Sequence, residues 1–135
     1  MKVFLSYARK DVVLALKLAA HLKTAGFSVW IADEHFARGE NWAKQIGKAL
    51  DAAELIVFLL TPRSLDSDVV RQDVEFAITS RKLEGCVFTV FVGSKVEADQ
   101  DVPWILLKLP HRRIRSAKEF AEVANDIQSQ WLVQV

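Results

Sequence analysis

The chain has 135 residues, 51% of them apolar, with 18 basic against 17 acidic side chains and a net charge of +1. That is enough for one domain with a full hydrophobic core, taken as residues 1–135, and too apolar for a disordered chain. The balance of charge removes the electrostatic case for a nucleic-acid partner, no apolar run approaches the length of a membrane span, and the N-terminus lacks a signal-peptide pattern. Cys86 is the single cysteine, which fits a reducing, cytoplasmic compartment. It precedes Val87 and Phe88 and reads as a buried, inert thiol. His21, His35 and His111 are scattered without metal-ligand spacing, so no metal site is expected.

Strand and helix patterns alternate along the chain. Residues 2–7 read as a buried strand that breaks into Ala8-Arg9-Lys10-Asp11. In residues 11–23, Leu14, Leu18 and Leu22 recur every fourth position beside Ala15 and Ala19, one face of a helix that Gly26 stops. Residues 27–31 form the second strand and 32–41 a polar loop containing Phe36 and Gly39. Trp42, Ile46, Ala49, Leu50 and Ala53 mark the second helix. Residues 55–60 are wholly apolar, the mark of a central strand.

A proline-containing loop, 61–67, leads to a third helix with Val70, Val74, Ala77 and Ile78 as its core stripe. Residues 86–92 are a fourth strand closed by Gly93. The stretch 94–110 is irregular, and 105–109 reads either as a short helix or as an irregular approach to a fifth, edge strand near 111–114. The cluster of Arg112, Arg113 and Arg115 reads as solvated edge residues. Ser116 and Glu119 make a capping-box pattern before a final helix lined by Phe120, Val123, Ala124, Ile127 and Trp131. Such alternation implies an α/β, flavodoxin-like three-layer sandwich: a five-stranded parallel sheet with helices on both faces. Ligand sites in such folds lie at the carboxyl ends of the strands, which makes the loop after the first strand a candidate.

Four motifs in order then resemble one family. Phe4-Leu5-Ser6-Tyr7 with Asp11, Gly26-Phe27-Ser28-Val29-Trp30-Ile31, Arg38-Gly39-Glu40-Asn41-Trp42 and Leu59-Leu60-Thr61-Pro62-Arg63-Ser64 are similar to the Toll/interleukin-1 receptor (TIR) domain in its bacterial form. The resemblance covers nearly the whole chain and is strongest over residues 3–77. It implies one of two functions. Many TIR domains cleave the nicotinamide–ribose bond of NAD, as effectors in immune defence or signalling; others catalyse nothing and assemble with one another. NAD is then a substrate rather than a resident cofactor, and none is implied. The implied partners are NAD, further TIR domains in a homo-oligomer or filament, and a sensor domain on a longer chain.

The resemblance also implies site residues. The family's catalytic glutamate lies on the third helix, where this chain carries Asp73, and its usual tryptophan is replaced by Val69. Ser67 matches the start of that motif. Misplacing a reacting group by about 1 Å can cost about a hundredfold in rate, so the shorter aspartate matters. Helix geometry sets Asp73 about 85° from the centre of the expected core stripe and Glu75 about 115° away on the other flank, which favours Asp73 as the site-facing acid. Tyr7 and Arg9 fall where active members carry an aromatic and arginines, and Arg9 suits a forked contact with pyrophosphate. Trp30 or Trp42 is a candidate stacking surface, and Asp33 stands one place after the family's usual aspartate position, here Ala32. In the family the 32–41 loop gates the ligand cleft and joins neighbouring domains, with Phe36 a candidate contact. Glycine-rich phosphate-binding motifs and the acidic pair of a response-regulator receiver are missing.

Overall fold

The computed structural model describes residues 1–31, 42–62, 64, 68–93 and 104–132, with the backbone alone at residues 42, 43, 68 and 69. Five parallel strands, β1 (Lys2–Ser6), β2 (Ser28–Trp30), β3 (Leu55–Leu60), β4 (Val87–Val92) and β5 (His111–Ile114), form one sheet in the order β2-β1-β3-β4-β5. The helices are α1 (Val12–Thr24), α2 (Trp42–Ala52), α3 (Asp68–Thr79), α4 (Trp104–Lys108) and α5 (Phe120–Trp131). The flavodoxin-like order follows from right-handed crossovers that send helices to both faces. All six residues of β3 are buried, as expected of the middle strand of a sheet covered on both sides.

Alternation along the strands divides the core into two layers. Val3, Leu5, Val57, Leu59, Phe88 and Val90 pack beneath α1 and α5. Phe4, Ile56, Phe58, Leu60, Val87 and Phe91 pack beneath α2, α3 and α4. Helix α1 buries Ala15, Leu18, Ala19 and Leu22. Helix α5 buries Phe120, Val123, Ala124 and Ile127.

Four expectations are adjusted. The 105–109 ambiguity resolves into α4, which begins at Trp104. Cys86 is half-buried and lies just before β4, at the turn that Gly85 makes with φ of 76°. Ser116 caps a short 3-10 turn, Ala117–Glu119, by accepting from the Lys118 amide, while Glu119 accepts from the amide of Arg115 rather than from that of Ser116. The stripe of α3 is Val70, Asp73, Val74 and Ala77, and Ile78 is 50% exposed. The helix is thus rotated about 35° from the expected setting, towards Asp73. Arg112 pairs with Glu122 at 2.9 Å and Asp126 at 3.2 Å on α5, in keeping with edge residues that face solvent.

Candidate functional site

In a sheet of this order the chain leaves β1 for α1 on one face and leaves β3 for α3 on the other, so the connections diverge between these two neighbouring strands. The crevice at the carboxyl ends of β1 and β3 is therefore the switch point where such folds take ligands. Two side-chain hydrogen bonds organise it, and both join residues far apart in sequence.

The first joins β1 to α3. Ser6, the last residue of β1, projects to the same face as Phe4 and Ala8, where α3 packs. Its Oγ donates to Oδ2 of Asp73 at 2.8 Å, and both residues are buried, at 2% and 4% exposure. Burial pushes the Asp73 carboxyl up from the usual aspartate range to about 6, and the Ser6 hydrogen bond pulls in the opposite direction. An acid with this value switches charge just below neutrality, which suits proton or charge work at physiological pH.

The second bond ties the loop after β1 to the end of β3. Asp11 is the residue before α1, yet its side chain makes no cap bond to the helix. Its Oδ2 instead accepts from the Thr61 hydroxyl at 2.8 Å, with both residues buried. Ser64 steadies Thr61 in turn. Its hydroxyl accepts from the Thr61 amide at 2.7 Å and donates to the Thr61 carbonyl at 2.8 Å. The loop after β1 is thus tied to the carboxyl end of β3.

The other expected site residues are distributed as follows. Trp30 ends β2, is half-buried on the Asp73 side of the sheet, and stacks on Phe4 with ring centres 4.9 Å apart. Tyr7 packs in the layer beneath α1 and α5, across the sheet from Asp73, and is 7% exposed. Arg9 is exposed in the 3-10 turn Arg9–Asp11. Glu75 is exposed on the outer side of α3. Asp33, Ser67, Phe36 and the 32–41 loop lie outside the described residues, as do the side chains of Trp42 and Val69. Ser6 and Thr61 appeared in the sequence only within family motifs. No periodicity marks a partner 67 or 50 positions away. Among the described residues, no group of three or more metal-binding side chains gathers. A separate cleft of about 340 Å³, lined by Ile78, Arg81, Leu83, Val87, Ile105 and Leu109, opens at the amino end of β4, the opposite edge of the sheet from Ser6.

A parallel sheet with a buried acid at its switch point defines an α/β domain of flavodoxin-like order, with its candidate site at the carboxyl ends of the strands. The sequence profile of the TIR domain matches residues 3–124, and the chain belongs to that family. Among solved structures it is similar to a metazoan TIR-STING receptor from C. gigas, determined in complex with 2′,3′-cGAMP, with 20% identity and a TM-score of 0.69. That match covers 93% of this chain but 38% of the receptor, so the chain spans well under half of that protein's length. It is also similar to a 2-deoxyribosyltransferase from Bacillus psychrosaccharolyticus, with 11% identity, a TM-score of 0.61 and 90% of each chain covered. At these identities the likeness is one of fold. No curated protein matches the sequence.

Proposed function

We propose that this TIR domain cleaves NAD at the nicotinamide–ribose bond, with Asp73 as the acid that acts on the ribose. The observation that carries the reading is the buried Asp73 carboxyl, hydrogen-bonded to Ser6 at the switch point and raised to about 6. Above that value it is ionised, and a carboxylate there accepts hydrogen bonds from ribose hydroxyls and stabilises the positive charge that grows on the sugar as the bond opens. Nicotinamide leaves with the bonding electron pair, and water or an atom of the product attacks the anomeric carbon, giving hydrolysis or cyclisation. Arg9, exposed beside the crevice, is suited to the pyrophosphate. Trp30 offers an aromatic edge at the end of β2, one ring face being occupied by Phe4. Tyr7 packs on the other side of the sheet.

In this reading the domain is cytoplasmic, takes part in defence or signalling, and works as an assembly with other TIR domains, coupled to a sensor. Among the described residues no helix is long and apolar enough to cross a membrane, which is compatible with that setting. A second reading, a TIR domain that only assembles, draws on the 4% exposure of Asp73, since a working acid must meet its substrate. Nicotinamide release from NAD by concentrated protein, beside an Asp73→Ala control, separates the two. Release by the wild type alone supports catalysis through Asp73. Equal release by the control removes Asp73 from the chemistry, and no release under assembling conditions favours the assembly module.

A further inference from the structure

The Ser6 hydroxyl sits where an apolar side chain would serve packing alone. Its neighbours on that face of the sheet are Phe4, Ala8 and Phe58, and α3 covers them with Val70 and Val74. Replacing both members of a buried hydrogen-bonded pair by apolar groups of similar shape is often nearly neutral for stability, so packing does not require this pair. The geometry is also directional. An ionised carboxylate only accepts, so the serine must donate, and its single proton engages Oδ2. Oδ1 is the oxygen this bond leaves for other partners.

Among the described residues, the charged side chains on the elements around the pair are exposed or hydrogen-bonded elsewhere. On α3, Arg71 and Glu75 stand two positions either side of Asp73, on the exposed side of the helix. Beyond β1, Arg9 and Lys10 are exposed, and Asp11 is held by Thr61. From β3, α2 and α4 the described side chains in this layer are apolar, with Ile56, Phe58, Leu60, Leu50 and Leu106 among them. Among the described residues, burial and the Ser6 hydroxyl are the influences on the carboxyl, and they oppose one another.

We propose that Ser6 is the positioning residue of this site: its hydroxyl holds Oδ2 of Asp73 against the carboxyl end of β1, keeps the carboxyl ionised in an apolar layer, and presents Oδ1 to the ligand. The catalytic consequence rests on the NAD reading above; the hold on Asp73 does not. An aspartate is one methylene shorter than the family's glutamate, and a fixed anchor at the strand end gives it a defined place.

The test uses Ser6→Ala and Ser6→Thr in the full chain, with the Asp73 carboxyl followed by carbon NMR and assigned with Asp73→Asn. Ser6→Ala is expected to move the Asp73 midpoint upward by about one pH unit, with the ionised fraction on the acid side falling about tenfold. Ser6→Thr, which keeps the hydroxyl, is expected to restore the wild-type midpoint. The acid limb of nicotinamide release is expected to move by the same amount, with activity recovered as pH is raised. A midpoint in Ser6→Ala within about 0.3 unit of wild type overturns the proposal, even if the variant melts earlier, because a merely structural serine changes stability and not the titration. A shifted midpoint in a protein that releases no nicotinamide at any pH upholds the hold on Asp73 and rejects the NAD reading. The two failures are therefore distinguishable.

Discussion

Replacing Asp73 by asparagine is expected to stabilise the domain at neutral pH and to lose that advantage in acid. The carboxyl is raised from 3.8 to about 6, chiefly by burial. An acid raised in the folded state holds its proton more tightly there than in the unfolded chain. Its contribution to stability is therefore fully present below about 3.8 and is lost as pH rises through about 6. The gap between the two values corresponds to a loss of about 3 kcal/mol above pH 6. Asparagine carries no charge and keeps an oxygen for the Ser6 hydroxyl, but it buries an amide donor, which costs about 1 kcal/mol at every pH. The variant is thus expected to be about 2 kcal/mol more stable than wild type at pH 7.5 and about 0.5 kcal/mol less stable near pH 4. For a domain of this length, 2 kcal/mol is about 7 °C in melting temperature. Thermal or urea melts of both proteins at pH 7.5, 6 and 4 supply the comparison, because groups common to both cancel in the difference. A difference that does not vary with pH, or one that grows as pH falls, would refute the reasoning. Stability gained with loss of nicotinamide release would mark Asp73 as a residue kept for function against the interest of the fold.

Thr61→Val preserves shape at the end of β3 and removes the donor to buried Asp11, so urea unfolding is expected to show a loss of about 1.5–3 kcal/mol; a loss below about 0.5 kcal/mol would mean that the clasp contributes nothing. Arg9→Ala, at an exposed position, is expected to leave stability within about 0.5 kcal/mol of wild type while raising the KM for NAD with kcat little changed; an unchanged KM would remove Arg9 from the binding of the pyrophosphate.

Much of the fold was legible because its signals are local. The apolar run Leu55–Leu60 identified the middle strand without reference to anything else in the chain. The four-residue recurrence in α1 picked out Leu18 and Leu22, which are buried. The rotation of α3 was less legible. Ile78 is apolar and belongs to the helical stripe on periodicity alone, yet it lies half exposed beside the cleft at the amino end of β4, and Asp73 takes a buried place instead. A hydrophobic stripe on a helix is wide, and its setting about the helix axis is chosen by the strands beneath it. Here the Ser6 hydroxyl, at the end of β1, gives the buried acid a partner.

By itself the sequence determined the order of strands and helices, the parallel sheet and the family, since these depend on short-range periodicity and on motifs whose spacing survives in a linear string. Tertiary structure alone decided which oxygen meets which. Ser6 and Asp73 are 67 positions apart, and Asp11 and Thr61 are 50 apart. Each pair meets because a parallel crossover brings the end of one strand beside an element formed much later in the chain. Tyr7 and Asp73 end on opposite faces of the sheet for an equally geometric reason, since adjacent side chains of a strand point to opposite sides. The charge state of the acid was beyond the sequence too, because it depends on how much water the packed layers exclude.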